Sequence, residues 1–192
     1  MDLILASTSP YRRALLQRLG VAFQWADPKV DERKDAPALE SPRGLAERLA
    51  LLKAKSVAAR EPQSVVIGGD QVACLDAQVL HKPGSFEKAK EQLSRLSGRE
   101  HQLITAMVVI SPEKEPWLHV NTAYLTLRNL TAQQIERYLR RDQPFDCAGS
   151  YKIEEGGIAL MQSIRCDDPT AIQGLPLMAL AVYLNNLNFA TP

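Results

Sequence analysis

The stretch Leu3-Ile4-Leu5-Ala6-Ser7-Thr8-Ser9-Pro10-Tyr11-Arg12-Arg13 decides how the chain is read. Residues 2–6 are a compact apolar run of strand length. Ser9 followed by Pro10 is an N-cap with proline at the first helical position. The helix should run to about Leu19 and stop at Gly20. A strand passing straight into a helix argues for an α/β fold. The turn between them gathers hydroxyls, free helix-start N–H groups and two arginines. Such a turn suits a phosphate, because the helix start is electropositive and arginine offers a bidentate fork. On this segment alone, a well-capped helix with exposed arginines is the competing reading. No G-x-x-x-x-G-K-[ST] occurs, so this is not a P-loop.

The same alternation continues outward. Residues 22–26 alternate weakly as a second strand, and a polar, proline-containing segment spans roughly residues 27–40. Ser41-Pro42 repeats the cap signature and opens a helix to about Arg60, with Leu45, Leu49 and Leu52 at helical spacing. Val65-Val66-Ile67 is a short buried strand that ends in Gly68-Gly69-Asp70-Gln71, with residues 72–75 extended and a hairpin turn at Asp76-Ala77-Gln78. Ser85 caps a helix carrying Phe86, Ala89, Leu93 and Leu96, ended by Gly98. Residues 101–110 and 117–128 are two long strands of an antiparallel hairpin, and they offer an edge for a homodimer. Thr131 to Gln134 is a capping box. Gly156 to Leu160 reads as another strand, and Leu177 to Leu187 as the last helix. The expectation is one domain over residues 1–192, α/β, with a mixed sheet flanked by helices.

Composition narrows the function. The 192 residues hold 23 Lys+Arg against 22 Asp+Glu, for a net charge of +1. A binder of nucleic-acid polymer usually carries a large basic excess, so that class is set aside. An apolar share of 45% with 23% charged residues is that of an ordinary globular protein. Cys74, Cys147 and Cys166 form no C-x-x-C pair, which fits small buried hydrophobes in a reducing cytosol. The first residues are too short for a signal peptide, and the greasiest run, Leu177 to Leu184, falls short of the ~18 residues of a membrane span. A cytoplasmic protein without a membrane partner is expected.

Further polar junctions accompany the first turn. Val30-Asp31-Glu32-Arg33 is an acidic loop of a kind most often found on plain surface. Asp70 follows a buried β-branched run and two glycines that permit close approach to the backbone. A carboxylate at a strand's carboxyl end can hold a divalent metal or take a proton from water, and an aspartate in a tight turn is the competing reading. Lys82 is held before Pro83, and Cys147-Ala148-Gly149-Ser150-Tyr151-Lys152-Ile153-Glu154 is a polar loop. His101 and His119 have no His or Cys at ligand spacing and read as structural. Several cations and two candidate metal-binding carboxylates are the outfit for binding and hydrolysing a nucleoside polyphosphate.

Taken together, the ordered set resembles the Maf family of nucleoside triphosphate pyrophosphatases. The resemblance is carried by Leu3 to Pro10 with Arg12, by Glu32, Lys53, Asp70 and Lys82-Pro83, by Ala148-Gly149-Ser150-Tyr151, and by Gly174-Leu175-Pro176. It spans nearly the whole chain. It implies a Maf/ITPase-like fold with two lobes around a deep cleft, and hydrolysis of a nucleoside triphosphate to the monophosphate plus pyrophosphate. It also implies help from a divalent cation, Mg, Mn or Co. Asp70 would accept the proton of the attacking water or hold the metal, with Glu32 as a second metal ligand. Ser7, Arg12, Lys53 and Lys82 would bind phosphates. Within the family the branch acting on 7-methyl-GTP is the most similar, on Tyr11, Gln71 and the segment from Cys147 to Glu154. Methylated guanine is cationic, so the face of Tyr11 can attract it. Glu154 could accept from the guanine N1–H edge, and Gln71 offers a donor and an acceptor. The alternatives are the same reaction on dTTP and UTP, or a non-catalytic nucleotide-binding regulator of septum formation. Gly69, where serine commonly precedes the aspartate, and His81, in place of a common glycine, depart from the family pattern.

Overall fold

A computed structural model describes residues 1–31 and 40–192. In chain order the elements are β1 (Leu3–Ala6), α1 (Pro10–Gln17), β2 (Gln24–Trp25), α2 (Pro42–Ala58), β3 (Val65–Leu75), β4 (Gln78–Leu80), α3 (Phe86–Leu96), β5 (Glu100–Ile110), β6 (Trp117–Leu127), α4 (Ala132–Asp142), β7 (Met161–Arg165) and α5 (Leu177–Asn186). Seven strands form one mixed sheet in the order β2-β1-β3-β5-β6-β7, with β4 also on β3. The pairs β1–β2 and β1–β3 are parallel, while β3–β4 and β6–β7 are antiparallel. The expected α/β class with a mixed sheet is therefore observed.

The chain divides into two compact units, and the division falls within β3, β5 and β6. The first comprises Met1–Gln71, Thr105–Asn121 and Asp168–Pro192. Its core is built from Leu3 and Leu5 of β1, Leu15 and Leu16 of α1, Val65 and Ile67 of β3, and Leu180 and Leu184 of α5. Burying each such side chain contributes about 1.5–3 kcal/mol. Trp117 and Tyr183 stack beside this core with ring centroids 4.1 Å apart. The helix starts follow the capping rule: Ser9 Oγ accepts from the Arg12 amide, and Ser41 Oγ from the Gly44 amide at 3.1 Å.

The second unit comprises Val72–Ile104 and Thr122–Asp167. Ala89, Leu93 and Leu96 of α3 and Ile135 and Leu139 of α4 are buried in it. The capping box at Thr131 and Gln134 is formed from both sides.

Three expectations change. Asp70 lies inside one continuous strand, not at a strand's end; of the two glycines before it, Gly68 admits the close approach of α2, and neither forms a turn. Residues 156–160 form a 3₁₀ turn, and the strand begins only at Met161. The reason is local: the Gly156 amide donates to Asp142 Oδ2 and the Gly157 amide to the Lys152 carbonyl, so neither is available to a ladder. Finally, β5 has β3 and β6 on its two sides, and the register of β7 covers β6 from Tyr124 to Leu127. The long hairpin therefore does not offer a full-length dimerisation edge.

Candidate active site

The register of β1 on β3 pairs Leu3 with Val65 and Ala6 with Gly68. It carries Ser7, the residue after β1, alongside the Gly69-Asp70 step. Helix α2 crosses the same strand at Gly68. A methyl group there would lie 2.4 Å from the Ala50 carbonyl oxygen and 2.6 Å from the Ala54 nitrogen, so only glycine admits the helix. Lys53 lies between Ala50 and Ala54 on α2, and Asp70 stands two residues after Gly68 on β3. The result is an ion pair with Lys53 Nζ 2.5 Å from Asp70 Oδ1. Both residues are buried, at 9% and 7% exposure. Removing two charges from water costs several kcal/mol per ion. A buried pair of this kind is therefore weak evidence for stability.

Arg12 reaches the same place from α1. Its Nε donates to the Gly174 carbonyl at 3.1 Å and lies 3.7 Å from where a Cβ on Gly69 would stand. Gly174 itself has φ +113, a backbone region that side chains rarely enter. Ser7 is buried, and its Oγ accepts from the Ser9 amide at 3.2 Å. Tyr11 sits half-buried on the first turn of α1. Ser7, Arg12, Lys53 and Asp70 thus all belong to the first unit, with Lys53 paired to Asp70 and Arg12 near the preceding Gly69.

Gln71 also lies in this unit, but its amide faces the framework. Nε2 donates toward Thr105 Oγ1, the Ala171 carbonyl and the Ile172 carbonyl, at 2.9 to 3.0 Å. Both protons of the amide are thereby engaged. Sequence reasoning missed Thr105 and the role of the Gly174 carbonyl. The signal for Thr105 was a lone hydroxyl in the apolar run from Leu103 to Val109.

Lys82 and Glu154 belong to the second unit. Lys82 is exposed next to buried Pro83, and the preceding carbonyl of His81 accepts from Gln92 Nε2 at 2.7 Å. The segment carrying Glu154 is pinned at several atoms. Ser150, at φ +63, donates its hydroxyl to Gln92 Oε1 at 2.7 Å. Tyr151 OH meets His101 Nε2 at 2.8 Å, and the Lys152 amide donates to Tyr138 OH at 2.9 Å. His101 is buried, consistent with the structural role expected for it, and burial lowers its pKa to about 4. Burial pushes the Tyr151 hydroxyl up, and the Cys147 thiol up to about 12, so that thiol is no nucleophile at neutral pH. Partial desolvation raises the Glu154 carboxyl above its ordinary value, although the residue is exposed overall.

Glu32, read as a metal ligand, lies outside the described residues. Among the described residues no three His, Cys, Asp or Glu side chains gather as a metal cage. Asp70 would supply one oxygen ligand of the kind a hard cation takes.

The chain is similar to known proteins over nearly its whole length. The family described as Maf-like protein matches residues 2–187. The chain is 50% identical over 191 residues to a protein of Xanthomonas axonopodis pv. citri named 7-methyl-GTP pyrophosphatase, covering 99% of this chain and 98% of that one. It is 52% identical over 186 residues to a protein of the same name from Bordetella pertussis, covering 95% and 90%. Among solved structures it is similar to the Ham1 protein of Staphylococcus aureus, with a TM-score of 0.58 at 14% identity, covering 97% and 99%. That likeness concerns the fold.

Proposed function

The chain belongs to the Maf family, and on that premise we propose that it is a nucleoside triphosphate pyrophosphatase that hydrolyses 7-methyl-GTP to 7-methyl-GMP and pyrophosphate. The relatives' shared name supports this substrate. The observation that carries the chemistry is the buried Lys53–Asp70 pair, next in the strand to Gly69, which Arg12 approaches. Asp70 takes the proton of a water that attacks at the α–β anhydride. A new P–O bond forms to that water, the bridging bond breaks, and pyrophosphate leaves with the electron pair. Arg12, Lys53, Lys82 and Ser7 bind the phosphates and stabilise the charge of the leaving group. A divalent cation, Mg, Mn or Co, held by Asp70 and Glu32, would neutralise phosphate charge when bound.

In this reading the methylated base is chosen by charge. Its cationic ring is drawn to the face of Tyr11, and Glu154 accepts from the N1–H and amino edge. A soluble nucleotide substrate suits a cytoplasmic setting, and no helix among the described residues is long and apolar enough to cross a membrane. The test is a panel of 7-methyl-GTP, GTP, dTTP and UTP with pyrophosphate release as readout. The expected order places 7-methyl-GTP first; faster turnover of dTTP or UTP overturns the substrate, and nucleotide binding without pyrophosphate release overturns the reaction.

A further inference from the structure

The loop from Asp168 to Leu177 is stitched to itself more tightly than a connector needs. Asp168 is buried and accepts from the Thr170 amide, the Thr170 hydroxyl and the Met178 amide, at 2.6 to 2.9 Å. Thr170 Oγ1 in turn accepts from the Leu177 amide at 2.8 Å. The 3₁₀ turn within this loop is also tied to the sheet. Thr105, buried on β5, donates its hydroxyl to the Ala171 carbonyl at 2.9 Å, and the Gln71 amide reaches the carbonyls of Ala171 and Ile172. The turn then delivers the Gly174 carbonyl to Arg12 Nε. The Nε–H bond to that carbonyl sets the plane of the guanidinium. A pure core position would not need two polar side chains converging on one carbonyl.

We propose that Thr105 and Gln71 are positioning residues which, through the 169–173 turn and the Gly174 carbonyl, aim Arg12 at the substrate's phosphates. This rests on the phosphate role of Arg12 proposed above and extends it to residues that touch no substrate. It also gives Gln71 a task different from reading the base.

The experiment compares wild type with Thr105→Val, Thr105→Ser, Gln71→Leu, Arg12→Ala and the double variant Thr105→Val/Arg12→Ala. Three quantities are measured: KM and kcat for 7-methyl-GTP, inhibition by inorganic tripolyphosphate, and the Arg12 Nε–H resonance. Thr105→Val and Gln71→Leu should raise KM and the tripolyphosphate inhibition constant together by about two- to tenfold, the worth of one or two hydrogen bonds. The preference for 7-methyl-GTP over GTP should stay put, Thr105→Ser should recover most of the loss, and the Arg12 resonance should shift. In the double variant the two losses should not multiply. Independent, multiplying losses would overturn the proposal, and so would an unmoved Arg12 resonance. A changed base preference with unchanged tripolyphosphate inhibition would return Gln71 to the base. Should Thr105→Val fail to fold, Gln71→Leu carries the same comparison. A wild type that releases no pyrophosphate defeats the proposed reaction instead, while the resonance and tripolyphosphate binding still report on positioning.

Discussion

At the scale of single residues the chain concentrates its cost in one ion pair. Asp70→Asn should lower turnover by about 10²–10⁴-fold, as expected for loss of a general base, with nucleotide binding largely kept. Pyrophosphate release and a binding titration check the two halves. Lys53→Met should do something different. It strands a buried carboxylate, and breaking such a pair costs about 3–5 kcal/mol, so the thermal midpoint should fall well below that of wild type. Calorimetry on Lys53→Met and on the double variant with Asp70→Asn tests this, since the double variant should recover part of the loss. His101 gives a pH dependence of known sign. Burial lowers its pKa from 6.5 to about 4 in the folded chain. Its contribution is therefore full above pH 6.5 and is lost as pH falls toward 4, because the unfolded chain binds the proton first. The loss should reach about 3 kcal/mol. Urea unfolding at pH 7.5 and pH 4.5, for wild type and His101→Gln, should show a smaller pH dependence in the variant.

At the scale of elements the packing of α2 on β3 governs the chemistry. Gly68→Ala should push α2 away and destabilise by about 1–3 kcal/mol, while separating Lys53 from Asp70. The expected signature is a joint fall in thermal midpoint and kcat. Thr131→Ala is its counterpart in α4: loss of the capping box should cost about 1 kcal/mol and leave kcat unchanged. Much of this was legible in the sequence. The Ser-Pro starts, the capping box and the apolar spacing located every helix to within a few residues, because caps and periodicity are local. The Gly68-Gly69 pair was read as letting a ligand approach the backbone, whereas at Gly68 it is helix α2 that approaches. Glycine signals both a turn and a close approach, and only the helix that lies across the strand tells them apart. Gly156-Gly157 was misread likewise, since its amides are claimed by Asp142 and by Lys152, the former far back in the chain. In the site, Arg12 stood out as a cation at a strand-to-helix junction, whereas Lys53, in the middle of α2, was singled out only through the family resemblance. Thr105 did not stand out, because a buried hydroxyl in an apolar strand shows its purpose only when its acceptor is known.

At the scale of the molecule, charge is nearly balanced overall and yet sharply placed. Lys53 pairs with Asp70 within the first unit, which also holds Arg12, while Lys82 stands in the second. On the phosphate role proposed for it, Lys82→Ala should raise KM about tenfold, with little change in thermal midpoint because the side chain is exposed. Chelation should abolish pyrophosphate release without unfolding the chain, since no metal cage among the described residues holds the fold together. Thermal scans with and without chelator, followed by addition of Mg, Mn or Co, check both statements.

The absent methyl at Gly68 has a consequence for heredity. Every other amino acid carries a Cβ, so any missense change in that codon forces backbone against backbone at the heart of the site. Gly20 and Gly84 differ: they have φ +68 with open space around them, and asparagine tolerates that conformation. A saturation scan of the gene should therefore find Gly68 barren of tolerated alleles and Gly20 and Gly84 open to asparagine. Genetic drift along this chain is free at its turns and closed where a helix leans on a bare strand.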